Sequence, residues 1–319
     1  MRIHVTDRRS WKRCRRKHLW QLEGLQPRDR AVTGPLWFGK GIHVGLEAFY
    51  KGEKPVQAWV DYVKTTLKAD GAQVDQDKLM ENNLLATGML QGYAQYAEKT
   101  DDFDEVTEVE QEHVLRIKGT RVDLVCRWDM VVKRQGGLWL VDHKTCDRFT
   151  DESMIEMDDQ FTAYLWFARE MKRRYGYGTV RGLLVNMLRK KIPEPIPLLK
   201  DGSPSRNKSL ECTPEDYLQA IIESGKDPND YEDMLNILSL RRYYDRVPAM
   251  RSERTLDIFG ERLTYELREM SSTKSFPYPT YSFMCARDCQ YLPLCRCVDE
   301  GGDLQFLIDH TYLYEKERH

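Results

Sequence analysis

Asp142 and Lys144 stand two apart at the end of an apolar run, Leu138-Trp139-Leu140-Val141. In an extended strand, side chains at i and i+2 share a face, so a carboxylate and an ammonium project together. Asp129 lies thirteen positions upstream, in a run whose even positions Val122, Leu124, Cys126, Trp128, Met130 and Val132 are all apolar. That period of two predicts a strand over 121–132 with one buried face and Asp129 on the other. Gln135-Gly136-Gly137 between the two runs is a turn signal, so the strands form a hairpin with Asp129 across from Asp142. Two carboxylates this close repel unless a cation lies between them, and hard oxygen ligands suit Mg²⁺ or Mn²⁺. A lysine beside such a cation orients a nucleophile or steadies charge developing on a phosphoryl group. A salt-bridged hairpin is the plainer reading of the same residues.

The flanking sequence supplies elements to position them. Ile42, Leu46, Phe49 and Tyr50 form one apolar stripe, which predicts a helix over 39–50. Helices are also expected over 55–69 and 78–98, so the first hundred residues are mostly helical. Strands follow at 106–117, 121–132 and 138–145, then a helix at about 153–175 ended by Gly176, then a strand over 179–188. This is a β-β-α-β core. Pro193, Pro195, Pro197, Gly202 and Pro204 mark 193–209 as an exposed loop. Helices are expected at 213–225, with Pro214 at its first position, and at 230–245 and 252–271. Residues 276–297 read as irregular. The expected organisation is a helical region over 1–100, a core over 101–192, a loop and helical region over 193–275, and a cysteine-rich segment over 276–319.

Composition narrows the function. The chain has 319 residues, 41% hydrophobic, enough for a sizeable core. Lys+Arg number 49 against 51 Asp+Glu, a net charge of −2, which excludes a globally basic nucleic-acid coat. Any such contact must be local. Arg8, Arg9, Lys12, Arg13, Arg15, Arg16 and Lys17 form a run without acids, with Trp11 and Trp20 interleaved. Basic residues with aromatics suit nucleic acid, and a solvated helix face is the competing reading. No window approaches 18 apolar residues and the start lacks an apolar leader core, so the expectation is a cytoplasmic chain with no membrane partner. Eight cysteines in such a chain point to metal or chemistry before disulfides. Cys285, Cys289 and Cys295 cluster at gaps of three and five and want a fourth ligand. Cys297 is near but too close to Cys295 to share an ion easily, and Cys14 is the other candidate. Thiolates suit either zinc or an iron–sulfur cluster. No Gly-x-x-x-x-Gly-Lys-Ser/Thr phosphate loop is present, so any ATP-driven unwinding must come from elsewhere.

The run Trp128-Asp129-Met130-Val131-Val132 followed by Gly136-Gly137-Leu138-Trp139-Leu140-Val141-Asp142-His143-Lys144-Thr145 resembles the core of the PD-(D/E)XK nucleases, and within them the RecB-like branch. Further marks of that branch recur in order. Lys40-Gly41-Ile42-His43 resembles its Gly-x-x-His helix, with Glu47 one turn on. Gln160-Phe161-Thr162-Ala163-Tyr164 resembles its Gln-x-x-x-Tyr. Cys14 with Cys285, Cys289 and Cys295 resembles the ligand set of members carrying a [4Fe–4S] cluster, such as the AddB subunit and the CRISPR adaptation exonuclease. The departures are Cys126 where the branch has glycine, Asp123 after Gly119 as a rival to Asp129, and a first cysteine gap of three rather than two.

The resemblance implies an α/β fold with a restriction-endonuclease-like mixed sheet flanked by helices. It implies a metal-dependent DNA nuclease, expected to act on DNA ends or single strands. His43, Asp129, Asp142 and the backbone carbonyl of His143 would hold Mg²⁺ or Mn²⁺. Lys144 would position the attacking water, with Gln160 and Tyr164 in support. Arg13, Arg15, Arg16 and Lys17 would meet DNA. A helicase or recombination protein is the implied partner, and a homo-oligomer is also compatible. A catalytically degenerate nucleic-acid-binding module, holding iron–sulfur or zinc, is the alternative.

Overall fold

β-branched and apolar runs build the strands, and 3.6-residue stripes build the helices around them. The computed structural model describes residues 1–28, 33–68, 74–272 and 277–314. In chain order its elements are β1 (Arg2–His4), α1 (Asp7–Arg13), α2 (Arg15–Leu22), β2 (Leu25–Pro27), α3 (Pro35–Tyr50), α4 (Pro55–Leu67) and α5 (Gln76–Thr100). Then come β3 (Glu105–Arg116), β4 (Asp123–Arg134), β5 (Gly137–Cys146), α6 (Glu152–Met157), α7 (Asp159–Tyr175) and β6 (Val180–Arg189). The remainder is α8 (Pro214–Glu223), α9 (Glu232–Ser239), β7 (Tyr244–Ala249), α10 (Glu253–Met270), α11 (Phe283–Asp288), α12 (Leu292–Asp299), α13 (Leu304–Thr311) and β8 (Tyr312–Tyr314). None of the described helices is long and apolar enough to cross a membrane.

Six strands form one mixed sheet, with β3 and β4 antiparallel, β4 and β5 antiparallel, β5 and β6 parallel, and β7 antiparallel on the far edge. β3 runs along the whole of one side of β4. The other side is shared. β5 pairs with Met130–Arg134, and β1 pairs in parallel with Asp123–Val125. Between them, residues 126–129 have no partner strand on that side, and β5 beyond Val141 continues on β6 alone. The sheet therefore forks where Asp129 and Asp142 stand.

Each face of the sheet is covered. Trp128, Val131, Leu140, Leu183 and Val185 pack under α7 and α10 through Phe167, Phe259 and Leu263. Met130, Val132, Trp139 and Val141 on the other face meet Tyr50 of α3. Behind them α3, α4 and α5 share Ile42, Leu46, Trp59, Leu90 and Tyr93. Gly41 permits the close approach of α3 and α4, because an added Cβ there would stand 2.4 Å from the Trp59 ring. Two smaller clusters lie apart. One unites Trp20 and Leu25 with Tyr291, Leu294 and Tyr312, and the other fills the 193–243 segment around Tyr217 and Met234.

The mixed sheet with flanking helices is the expected class, and Gly176 ends α7 in a left-handed conformation (φ 70°). Four local expectations change. β4 is buried on both faces over Met130–Val132, because helices cover the sheet on both sides there. The helix over 153–175 is two helices, broken at Asp158, whose carboxylate caps α7 through the N–H groups of Gln160 and Phe161. The helix over 230–245 stops at Ser239, and Tyr244–Ala249 form an edge strand, where Pro248 is tolerated. Residues 276–297 contain α11 and α12 rather than irregular chain. The helix predicted over 55–69 ends at Leu67; residue 69 lies outside the described residues, as do 275 and 276 at the expected domain boundary.

Candidate metal centre

The fork sets the geometry. His43 of α3 brings Nδ1 to 3.4 Å from Asp129 Oδ2. The same oxygen accepts the backbone N–H of His143 at 2.6 Å, which ties β4 to β5 just past the end of their ladder. Asp142, 2% exposed, meets Lys144 Nζ at 2.8 Å through Oδ2. Lys144 Nζ also sits 5.7 Å from the centre of the Phe161 ring on α7. On the same helix, Gln160 Nε2 donates to the hydroxyl of Tyr164, one turn on, at 2.7 Å. The structure thus gathers His43, Asp129, Asp142, His143, Lys144, Gln160 and Tyr164 around one fork. Asp123 is elsewhere, at the β1 end of the sheet, paired with Arg116 at 3.0 Å. Cys126 is buried against the α7 face.

Electrostatics separates the acids. Burial works to raise Asp129, but the His43 imidazole overrides it and holds the carboxyl well below its ordinary range. Asp142 moves the other way, raised by burial against the pull of Lys144. His43 is raised, since its attraction to Asp129 exceeds the cost of burial. His143 is pushed down to about 3 by burial and is therefore neutral. Its ring is held from behind: Nδ1 lies 2.8 Å from Asn186 Nδ2, and Tyr50 stacks on it at 5.9 Å. Asn186 also donates to Tyr93, which reaches Arg246 and, through Tyr50, Asp101.

One residue at this centre escapes the motif reading. His43, Glu110 and Asp129 offer ligand atoms that all lie within 4.8 Å of one another. Asp142 is outside that trio. Glu110 comes from β3, where it is one of three acids, Glu108, Glu110 and Glu112, at alternating positions. Burial, then the nearby Asp129 charge, pushes its carboxyl up to about 7. The alternating acids are a signal in the sequence, but nothing in it separates Glu110 from its neighbours.

Cys14, Cys285, Cys289 and Cys295 line one cavity between α1, α2 and the C-terminal segment, with Arg13, Lys17, Trp20 and Tyr281. Cys297 is not part of its lining. The backbone N–H of Thr280 points to Cys14 Sγ at 3.5 Å, and that of Ser282 to Cys285 Sγ at 3.4 Å. Cys14 is also the break between α1 and α2. The basic run beside it is engaged by acids of the other end of the chain. Arg13 grips Asp288, Arg15 meets Glu269 at 2.9 Å, and Arg16 meets Asp299 at 3.1 Å. Upstream, Arg8 is 2% exposed and reaches Asp159 at 3.0 Å and Glu266 at 2.6 Å. α1 is thereby pinned to the start of α7, next to Gln160.

The site has the donors for a hard divalent cation, an imidazole and carboxylates from two sides of a fork, with a lysine ammonium held at one of those carboxylates. One comparison with known proteins, that with sequence families, agrees with this chemistry. A sequence model of the PD-(D/E)XK nuclease superfamily matches residues 5–296. No curated protein matches the sequence significantly. A solved chain titled "Crystal structure of SSO0001" aligns over 92% of this chain and 85% of its own length, at 12% identity and a TM-score of 0.34. With the family match spanning nearly the whole length, the chain belongs to the PD-(D/E)XK nuclease superfamily.

Proposed function

We propose that the protein is a Mg²⁺- or Mn²⁺-dependent deoxyribonuclease of the RecB-like branch, acting on DNA ends or single strands and carrying a structural [4Fe–4S] cluster. The observation that carries the reading is the convergence of His43, Asp129, Asp142 and Lys144 at the fork between β4 and β5. His43, Asp129, Asp142 and the His143 carbonyl would hold the cation, which supplies Lewis acidity toward the phosphodiester and a nucleophile at neutral pH. Asp129 accepts the His143 N–H and so fixes the β5 backbone beside the scissile phosphate. The Lys144 ammonium, kept charged by Asp142, orients the water and steadies charge on the phosphoryl oxygens. Gln160 and Tyr164, bonded to each other on α7 around the Phe161 that Lys144 approaches, would support the water or the substrate.

For the cysteine cavity, the donor chemistry fits a soft metal, and backbone N–H groups directed at two sulfurs suit bound thiolates. Zinc and a [4Fe–4S] cluster both take four thiolates, and the resemblance to iron–sulfur nucleases favours the cluster. Arg13 and Arg16 face these sulfurs and offset their charge. Lys17 lines the same cavity and, with the run around it, is the proposed route for DNA toward the fork. A helicase or recombination protein would supply single strands, since the sequence has no phosphate loop of its own.

The test is cleavage of end-labelled single-stranded and duplex DNA by anaerobically purified protein, with and without Mg²⁺ or Mn²⁺. Divalent-dependent cleavage that vanishes in Lys144→Ala, with brown colour and stoichiometric iron and sulfide, is the expected result. No cleavage by brown, metal-supplied protein would overturn the nuclease reading in favour of a DNA-binding module.

A further inference from the structure

The β3–β4 ladder carries an irregularity that the Asp-x-Lys motif does not require. Val109 pairs with Met130 and Gln111 with Trp128, so Glu110 and Asp129 stand opposite each other between them. Strict alternation would send neighbours to opposite faces. Here Met130 packs on the α3 face and Val131 and Trp128 on the α7 face, while Asp129 reaches His43 of α3. Asp129 and Met130 therefore share the α3 face. β3 does the same, since Val109 packs with Met130 and Tyr50, and Glu110 approaches His43 and Asp129. The backbone cause is plain: Glu110 adopts φ 52°, a left-handed conformation that a side-chain-bearing residue adopts at a cost. The result is a facing pair of carboxylates on one side of the sheet.

Like charges directly opposite in a ladder destabilise it. The cations on hand do not resolve the conflict. Arg127 comes only to 4.0 Å of Glu110 and is shared with Glu112 at 3.8 Å, and Lys51 is taken by Glu47 at 2.5 Å. His43 lies against Asp129, and an imidazole in its neutral form has a lone pair to donate to a cation.

We propose that Glu110 is a direct ligand of the divalent cation, completing with His43 and Asp129 a three-residue set on the α3 side of the fork. The inference rests on the metal-dependent reading above and adds to it a carboxylate from a third strand. Asp129 then stands between Glu110 and His43 on one side and Asp142, with its Lys144 ammonium, on the other. Glu110 is absent from the sequence motif because it is brought in by a backbone kink on a neighbouring strand.

The experiment counts Mn²⁺ binding to chelator-treated protein, with its cysteine site intact, by the electron paramagnetic resonance signal of free Mn²⁺. Wild type is compared with Glu110→Gln, Asp129→Asn and Glu47→Gln. Glu47 is an acid close to Glu110 but outside the trio, so its variant reports the loss of a nearby charge, with the release of Lys51, without the loss of a proposed ligand atom. Glu110→Gln is expected to weaken Mn²⁺ binding at least about tenfold, as Asp129→Asn does, while Glu47→Gln changes it little. Without metal, Glu110→Gln should melt at the same or a higher temperature, since it relieves the facing charges. The proposal fails if Glu110→Gln binds Mn²⁺ like wild type, or no more weakly than Glu47→Gln, while Asp129→Asn loses it. If wild type itself binds no Mn²⁺, the metal-dependent reading falls and takes this one with it.

Discussion

The fork and the cysteine cavity are assembled in opposite ways. At the fork, Asp129, Asp142 and Lys144 sit on adjoining strands, and the positions of their backbones are set by ladders with β3 and β6. Burial on both faces of β4 and β5 makes those ladders stiff. The cavity joins Cys14 to cysteines more than 270 residues later, through short helices and ion pairs that are largely solvent-exposed. Such pairs are worth little individually. The fork can therefore hold its geometry before a cation arrives, whereas the cavity depends on what its thiolates bind. The two are also in mechanical contact, because Arg8 and Lys12 of α1 hold Asp159 at the start of α7.

The largest expected effect tests the fork as a preformed site. Asp129→Asn should lower divalent-dependent DNA cleavage by roughly 10²-fold or more while leaving the thermal midpoint of metal-free protein nearly unchanged. A large fall in that midpoint would show that Asp129 is a structural member of the fork, not one waiting for its cation. Next in size is the cavity. Cys285→Ser should remove the iron–sulfur absorbance and lower stability by on the order of several kcal/mol, with residual cleavage surviving at low temperature. Proteolysis should then cut first within the C-terminal segment. Equal loss of structure at the fork would show that the two regions are one cooperative unit. The smallest effect concerns neither site. Glu108 accepts from Tyr177 at 2.8 Å and lies 2.8 Å from His113 Nε2, and these partners lower its carboxyl against the effect of burial. Its contribution to stability is thus present above the ordinary glutamate range and lost as pH falls through the lower folded value. Melting of Glu108→Gln beside wild type should show a gap at neutral pH that closes toward pH 3.

Much of the fork was legible because its signals are local. An apolar run ending in Asp-x-Lys, the turn at Gly136-Gly137 and the thirteen-residue spacing to Asp129 each depend on residues a few positions apart. The α3 stripe likewise placed His43 on a helix. Glu110 was illegible because its direction depends on a left-handed residue inside a strand, and no glycine marks that turn. β7 was missed because an edge strand with Pro248 gains its identity from pairing with β6, not from its own composition. The basic run read as a possible nucleic-acid surface; what the sequence did not show is that its Arg13, Arg15 and Arg16 also meet Asp288, Glu269 and Asp299, partners more than 250 residues away.

The sequence by itself determined most element types, the β-β-α-β order of the core, and the residue types needed for a cation and for a soft-metal site. Periodicity and residue chemistry are properties of short segments, and they survive without the rest of the chain. Tertiary structure alone decided that β4 is shared between β1 and β5, leaving Asp129 at an open fork. It alone brought Cys14 to the C-terminal cysteines and turned Glu110 toward Asp129. Those outcomes depend on strand order, register and backbone strain, which arise only when distant segments compete for the same hydrogen bonds and the same buried space.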